Sequence, residues 1–360
     1  MIEWLGKGQP IACIGENTVL CYSNSIFEIL NTIDNSRKKL CMFKQKRIYR
    51  LFERISLMRR LLRMEIRCGY LINSEYYFFK YKSLYYLNIN TGRIYKLYDI
   101  PQGWSAPLNI SKGFGSYKIL WGAYGSNSGL QSVHIMGLTK NGGVEVLYRF
   151  PAGTIRHIHN LIKDDENNGY YIFTGDHGNH MGIYYSDITF TNIVPVLTGN
   201  QQHRAVQGFP TKDGIVYATD AVEEVNCIYY AHTKDRIKWE LTKICGLNGS
   251  CIYGTRVKQG YVFSTTVEPS ESKEYKKTIR NLLSMKRAKG ILSNSIDVIY
   301  LKDDLSFSRI STFEKDNLPY KLFQYGALRF AVNSSEKETV FFYPVAIKHY
   351  DGMMGYIRLD

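Results

Sequence analysis

Leu84 to Ile100 reads LYYLNINTGRIYKLYDI: a short strand carrying an aromatic pair, an Asn-Thr-Gly turn and a second strand. The pattern returns as VHIMGLTKNGGVEVLYRF from Val133, GIYYSDITFTNIVPVL from Gly182, CIYYAHTKDRIKWELTKI from Cys227 and DVIYLKDDLSFSRISTF from Asp297. Looser copies stand at TVLCYSNSIFEIL from Thr18 and TVFFYPVAIKHYDGMMGYIRL from Thr339. Between these hairpins lies a second repeat. WGAYG (121–125), FTGDHG (173–178), YATDAV (217–222) and FSTTVEP (263–269) each close a strand that follows a glycine-containing turn. Two hairpins per period of about 50 residues make a four-stranded sheet, and such sheets repeated around an axis make a β-propeller. The reading is therefore all-β: one propeller over residues 1–360 with six or seven blades. The blade number stays open because the two chain ends can share a blade.

Composition agrees. The chain is 44% hydrophobic and holds 29 tyrosines, and aromatic side chains suit a pleated, half-buried surface. Seven cysteines without a C-x-x-C pair read as reduced thiols. No secretory leader and no long apolar run is evident, so the expected location is cytoplasmic, with peripheral membrane contact as an option. The net charge of +14 lies in two segments. Residues 37–67 hold twelve Lys/Arg against Glu53 and Glu65, and residues 270–290 hold seven against Glu271 and Glu274.

Residues 156–187 carry four of the eight histidines at the run ends of one hairpin. His157 and His159 are two apart, so on a strand they share a side, with Arg156 and Ile158 on the other. Asp176, His177 and His180 close the returning strand. A histidine at a strand end is usually a hydrogen-bonded surface residue, but four of them with Asp176 and Arg156 point to a site. In an up-and-down blade, the entry into the first strand and the turn after the second share one face. The repeats then bring Tyr124, Asp220, Glu268, His203, Arg204 and Gln207 to the same mouth of the central channel, where ligand sites form.

Both basic segments belong to that face. Residues 40–67 lack Pro and Gly and space Phe43, Leu51, Ile55, Met58 and Leu62 as one long amphipathic helix. Two cationic walls beside a pocket would draw in an anionic substrate, or segment 40–67 would lie on an anionic membrane surface. Nucleic acid is disfavoured, because the basic groups overlie no recognisable nucleic-acid module.

The hairpins TKNGGVEV (139–146), SDITF (186–190) and KDDLSF (302–307) resemble degenerate copies of the Asp-box S-x-D-x-G-x-T-W of sialidase-like propellers. None is complete, so the resemblance is to the superfamily over most of residues 70–350. The site layout resembles propeller-fold ulvan lyases, which pair two histidines of one blade with Tyr and Arg from others. That resemblance implies catalytic His157 and His177, twenty residues apart, with Tyr124 as proton donor and Arg204 neutralising a uronate carboxylate. Arg156, His159, Asp176, His180, His203, Gln207, Asp220 and Glu268 would bind the substrate. Oligogalacturonate lyases, also propellers, hold a metal with histidines and a glutamine. Similarity to them implies His159, His180, His203 and Gln207 as candidate ligands of a divalent metal.

The leading expectation is a lyase acting on an anionic, uronate-containing polysaccharide or oligosaccharide. Three alternatives stay open: a sialidase-like glycoside hydrolase using Asp176, Asp220 or Glu268; a glycosyltransferase or accessory factor of capsule or exopolysaccharide synthesis at a membrane face; and a non-catalytic glycan-binding propeller.

Overall fold

The computed structural model describes residues 2–270, 279–332, 335 and 337–359. Seven antiparallel four-stranded sheets stand around one axis. The innermost strands of blades 1 to 6 are Gln9–Cys13, Cys68–Ile72, Ser111–Lys112, His157–Asp164, Ala205–Thr211 and Cys251–Val257. Blade 7 runs Ala327–Phe330, Thr339–Val345 and Met353–Arg358, and its outermost strand is Ile2–Lys7 from the other end of the chain. Ile2 pairs with Ile357 and Trp4 with Gly355. Trp4 also stacks on Tyr350 at 4.3 Å and meets Phe342 edge-on, so an aromatic cluster closes the ring.

Runs such as EYYFFK and GYYIFTG become intelligible once the second strands are seen to be covered on both faces. In blade 2, Tyr76 and Phe78 pack toward blade 1, while Tyr77 and Phe79 pack toward blade 3. In blade 4, Tyr170 and Ile172 face blade 3, and Tyr171 and Phe173 face blade 5. Side chains alternate along a strand, so a continuous apolar run supplies two cores at once. Every neighbouring pair of blades shares such a cluster.

The repeats starting at Leu84, Val133, Gly182, Cys227 and Asp297 are the outer hairpins of blades 2 to 6. The looser copies at Thr18 and Thr339 are one strand out of phase, being middle hairpins of blades 1 and 7. Those blades meet where the chain closes on itself, and the phase slips there.

The first basic insertion is shorter than expected, because Arg37–Met42 is the outermost strand of blade 1. Beyond that strand the chain forms two short helices, α1 (Arg47–Arg54) and α2 (Ser56–Leu61), instead of one long helix. Ile55 between them is extended (φ −95°, ψ 111°). The break has a physical reason: Glu53 is held by blades 1 and 2, whereas Arg59 and Arg60 reach acids near blades 6 and 7. Of the second insertion, residues 271–278 lie outside the described residues. The remainder contributes one helical turn, α3 (Ile279–Leu282), and neighbours α4 (Tyr320–Phe323). No disulfide joins the seven cysteines.

Candidate functional site

Blades 3, 4 and 5 bring their inner ends together at one mouth. His157 opens the inner strand of blade 4, and His159 follows on the same side, as alternation requires. Both are about 3% exposed. Their Nε2 atoms lie 3.3 and 3.1 Å from one oxygen, Asp176 Oδ1. Asp176 follows the second strand, and Gln201 Nε2 donates to its carbonyl at 3.1 Å. A Cβ at Gly175 would overlap the His159 ring, so glycine is required where the strand passes the imidazole. Arg204, just before the inner strand of blade 5, places Nη2 3.3 Å from Asp176 Oδ1 and 3.3 Å from Asp220 Oδ2.

The protons on the imidazoles are fixed from behind. His157 Nδ1 is 2.6 Å from the Gly125 carbonyl oxygen and His159 Nδ1 is 2.9 Å from that of Ala205. A carbonyl can only accept, so each Nδ1 carries hydrogen, and a neutral ring then presents a lone pair at Nε2. Two lone pairs and a carboxylate oxygen converge, all within 4.8 Å of one another. The Arg204 guanidinium is the donor that faces them. Backbone carbonyls orienting the far nitrogen of each ring are the usual support behind metal-bound histidine. The donor set, two nitrogens and one oxygen, suits Mn²⁺ or Zn²⁺. Burial pulls the His159 pKa down, opposed by Asp176. Burial would raise Asp176, but a proton on either Nε2 would bond to its carboxylate, and such bonds together with the Arg204 charge outweigh burial and hold the carboxyl well below its usual range; a cation entering the group would take the place of those protons.

Tyr124 roofs the cluster, its ring 4.6 Å from that of His157. Burial pushes its phenol up to about 12, with Arg67 opposing. The Arg67 guanidinium stands 6.0 Å from the Tyr124 ring. Above, a cavity of about 510 Å³ is lined by Tyr124, Arg63, Arg67, Lys82 and Arg329 among others. Below, the central channel holds about 400 Å³ lined by Arg67, Lys112, Lys163, Arg256 and Arg329, with Asp165. Both spaces are predominantly cationic.

The structure thus gathers His157, His159, Asp176, Arg204, Asp220 and Tyr124. It does not bring His157 and His177 together as a pair: His177 lies exposed on the loop after Asp176. The expected metal set of His159, His180, His203 and Gln207 does not form. His180 is exposed, His203 turns its Nδ1 to the Thr198 carbonyl, and Gln207 lies down the channel on Asn109. His159 is instead grouped with His157 and Asp176. Arg156 is half-buried with its carbonyl bound by Asn127, outside the group. Glu268 is held by Ser250 and Thr266. Sequence reasoning missed Arg67, Arg329 and Gln201. Arg67 stands immediately before the inner strand of blade 2, nearly equivalent to His157 in blade 4, and the repeat could have revealed it.

No protein-family model matches the chain, and no curated protein resembles it in sequence. Its fold is similar to that of an oligogalacturonate lyase in complex with manganese, with a TM-score of 0.59 and 9% identity over 100% of this chain and 93% of that one. An oligogalacturonate lyase from Vibrio parahaemolyticus gives 0.57 at 9% identity, over 99% and 93%. The WD40 propeller domain of Doa1 gives 0.57 at 6% identity, over 99% and 95%. Likeness at these identities defines a class by fold: seven-bladed β-propellers.

Proposed function

We propose that the protein is a lyase that cleaves an anionic, uronate-containing glycan by β-elimination, using a divalent cation held by His157, His159 and Asp176. The observation that carries this reading is the convergence of two imidazole lone pairs on the Asp176 carboxylate beneath a cationic mouth. A bound divalent cation would neutralise the uronate carboxylate and so acidify the neighbouring C–H. Arg67 and Arg329 attract and orient the anionic chain. Arg204 is a positioning residue, because its guanidinium already bridges Asp176 and Asp220. His177, exposed beside the site, takes the proton alpha to the carboxylate. The C–O bond to the leaving sugar breaks as a C=C bond forms. Tyr124, kept protonated by burial, gives its phenol proton to the departing oxygen.

Hydrolysis by paired carboxylates is less well supported. Asp176 and Asp220 share one arginine, and Glu268 is bound by two hydroxyls. Two proteins of similar fold are named oligogalacturonate lyases, one of them in complex with manganese, and this supports the reading.

The test is a panel of uronate-containing polysaccharides, with and without Mn²⁺, followed by the ultraviolet absorbance of the unsaturated product. Wild type should generate it with the metal. His159→Ala should lose metal binding by calorimetry together with turnover, whereas His177→Ala should keep the metal and lose turnover. Metal bound without absorbance on any substrate would sink elimination.

A further inference from the structure

Surface helices of a soluble fold normally turn apolar side chains inward and charges outward. The first insertion does the reverse over residues 47–63. On its inner side, Glu53 accepts from Tyr22 Oη at 2.7 Å and Ser25 Oγ at 2.6 Å, and Lys80 Nζ lies 3.0 Å away. Arg60, also buried, donates to Asp316 Oδ2 at 2.5 Å and to the Phe323 carbonyl at 2.7 Å. On its outer side, Leu51, Ile55 and Leu57 are 52%, 46% and 47% exposed. Exposed Arg47, Arg54 and Arg63 stand among them. Both acids of this stretch, Glu53 and Glu65, are buried, so the outward surface is apolar and of one charge sign.

The second insertion repeats this composition on the same face, with exposed Leu283 and Met285 beside Lys286 and Arg287. Helix α4 packs against both α2 and α3 and so joins the two patches. We infer that this face docks on a bilayer containing anionic phospholipid, its leucines and isoleucine seated among the headgroups and its basic groups on the phosphates. Apolar side chains interleaved with Lys and Arg are the composition of helices that lie in a membrane interface. A second copy of the chain would set like charges against each other. No helix among the described residues is long and apolar enough to cross a membrane, and the proposed contact is made by the surface of these short helices. This inference is independent of the chemistry proposed above, although Leu62 and Arg63 also border the cavity over Tyr124 and would set that mouth at headgroup level.

Flotation of the full-length protein with vesicles tests it. The protein should float with phosphatidylcholine vesicles containing phosphatidylglycerol and not with phosphatidylcholine alone, and salt should release it. Leu51→Glu with Leu57→Glu should cut partitioning about tenfold or more while leaving circular dichroism unchanged, since loss of one buried leucine is worth at least that factor. Failure to float with anionic vesicles, or equal partitioning of the variant, would overturn the inference. So would a dimer by light scattering that the same variant dissociates.

Discussion

His157 and His159 owe their shared direction to strand alternation and their tautomers to two carbonyl oxygens, those of Gly125 and Ala205. The first is legible from a spacing of two. The second is not, because both carbonyls come from other blades and no local pattern announces them. His177 shows the opposite failure: a separation of twenty residues suggests a pair, but it lies on the loop beyond the strand end, where alternation no longer dictates direction. Gly175 is the sharpest test at this scale. Gly175→Ala would force its methyl against the His159 ring. The expected result is a loss of Mn²⁺ affinity of about 10- to 100-fold with the fold retained, measured by calorimetry and thermal melting.

The basic insertion shows what periodicity leaves undecided. Phe43, Leu51, Ile55, Met58 and Leu62 are spaced as an inward stripe, yet Leu51, Ile55 and Leu62 are exposed while Phe43 is buried. A hydrophobic period identifies a face without saying which way it turns, and here buried ion pairs turn it. Asp316 is central to that anchorage. Burial would raise its pKa, but Arg60 and Lys315 outweigh burial and hold it below the ordinary value. A carboxyl depressed in the folded state stabilises above its unfolded pKa of about 3.9 and loses that contribution as pH falls through the folded value. Proteolysis within residues 47–63 should therefore accelerate below about pH 4. Asp316→Asn should accelerate it at neutral pH as well, because loss of a charged partner for buried Arg60 costs about 2 kcal/mol. Cleavage that stays slow in the variant would show that the anchor lies elsewhere.

At the scale of the whole molecule, the propeller is readable because five outer hairpins keep one phase and the second strands carry runs apolar on both sides. The blade number is not, since it depends on where Ile2–Lys7 pairs, and that contact spans nearly the full sequence. Trp4→Ala should lower stability by about 3 kcal/mol, seen as a shift of the denaturant midpoint without loss of strand signal. An unchanged midpoint would mean that the backbone pairing alone closes the ring.

That closure orders events in time. The outermost strand of blade 7 is synthesised before the other six sheets and its three partners after them, so it waits unpaired while those sheets emerge from the ribosome. The cluster from Tyr124 to Asp220 needs only three consecutive blades, all made well before residue 358. A nascent chain can therefore assemble this side-chain cluster while the ring that will shelter it is still open.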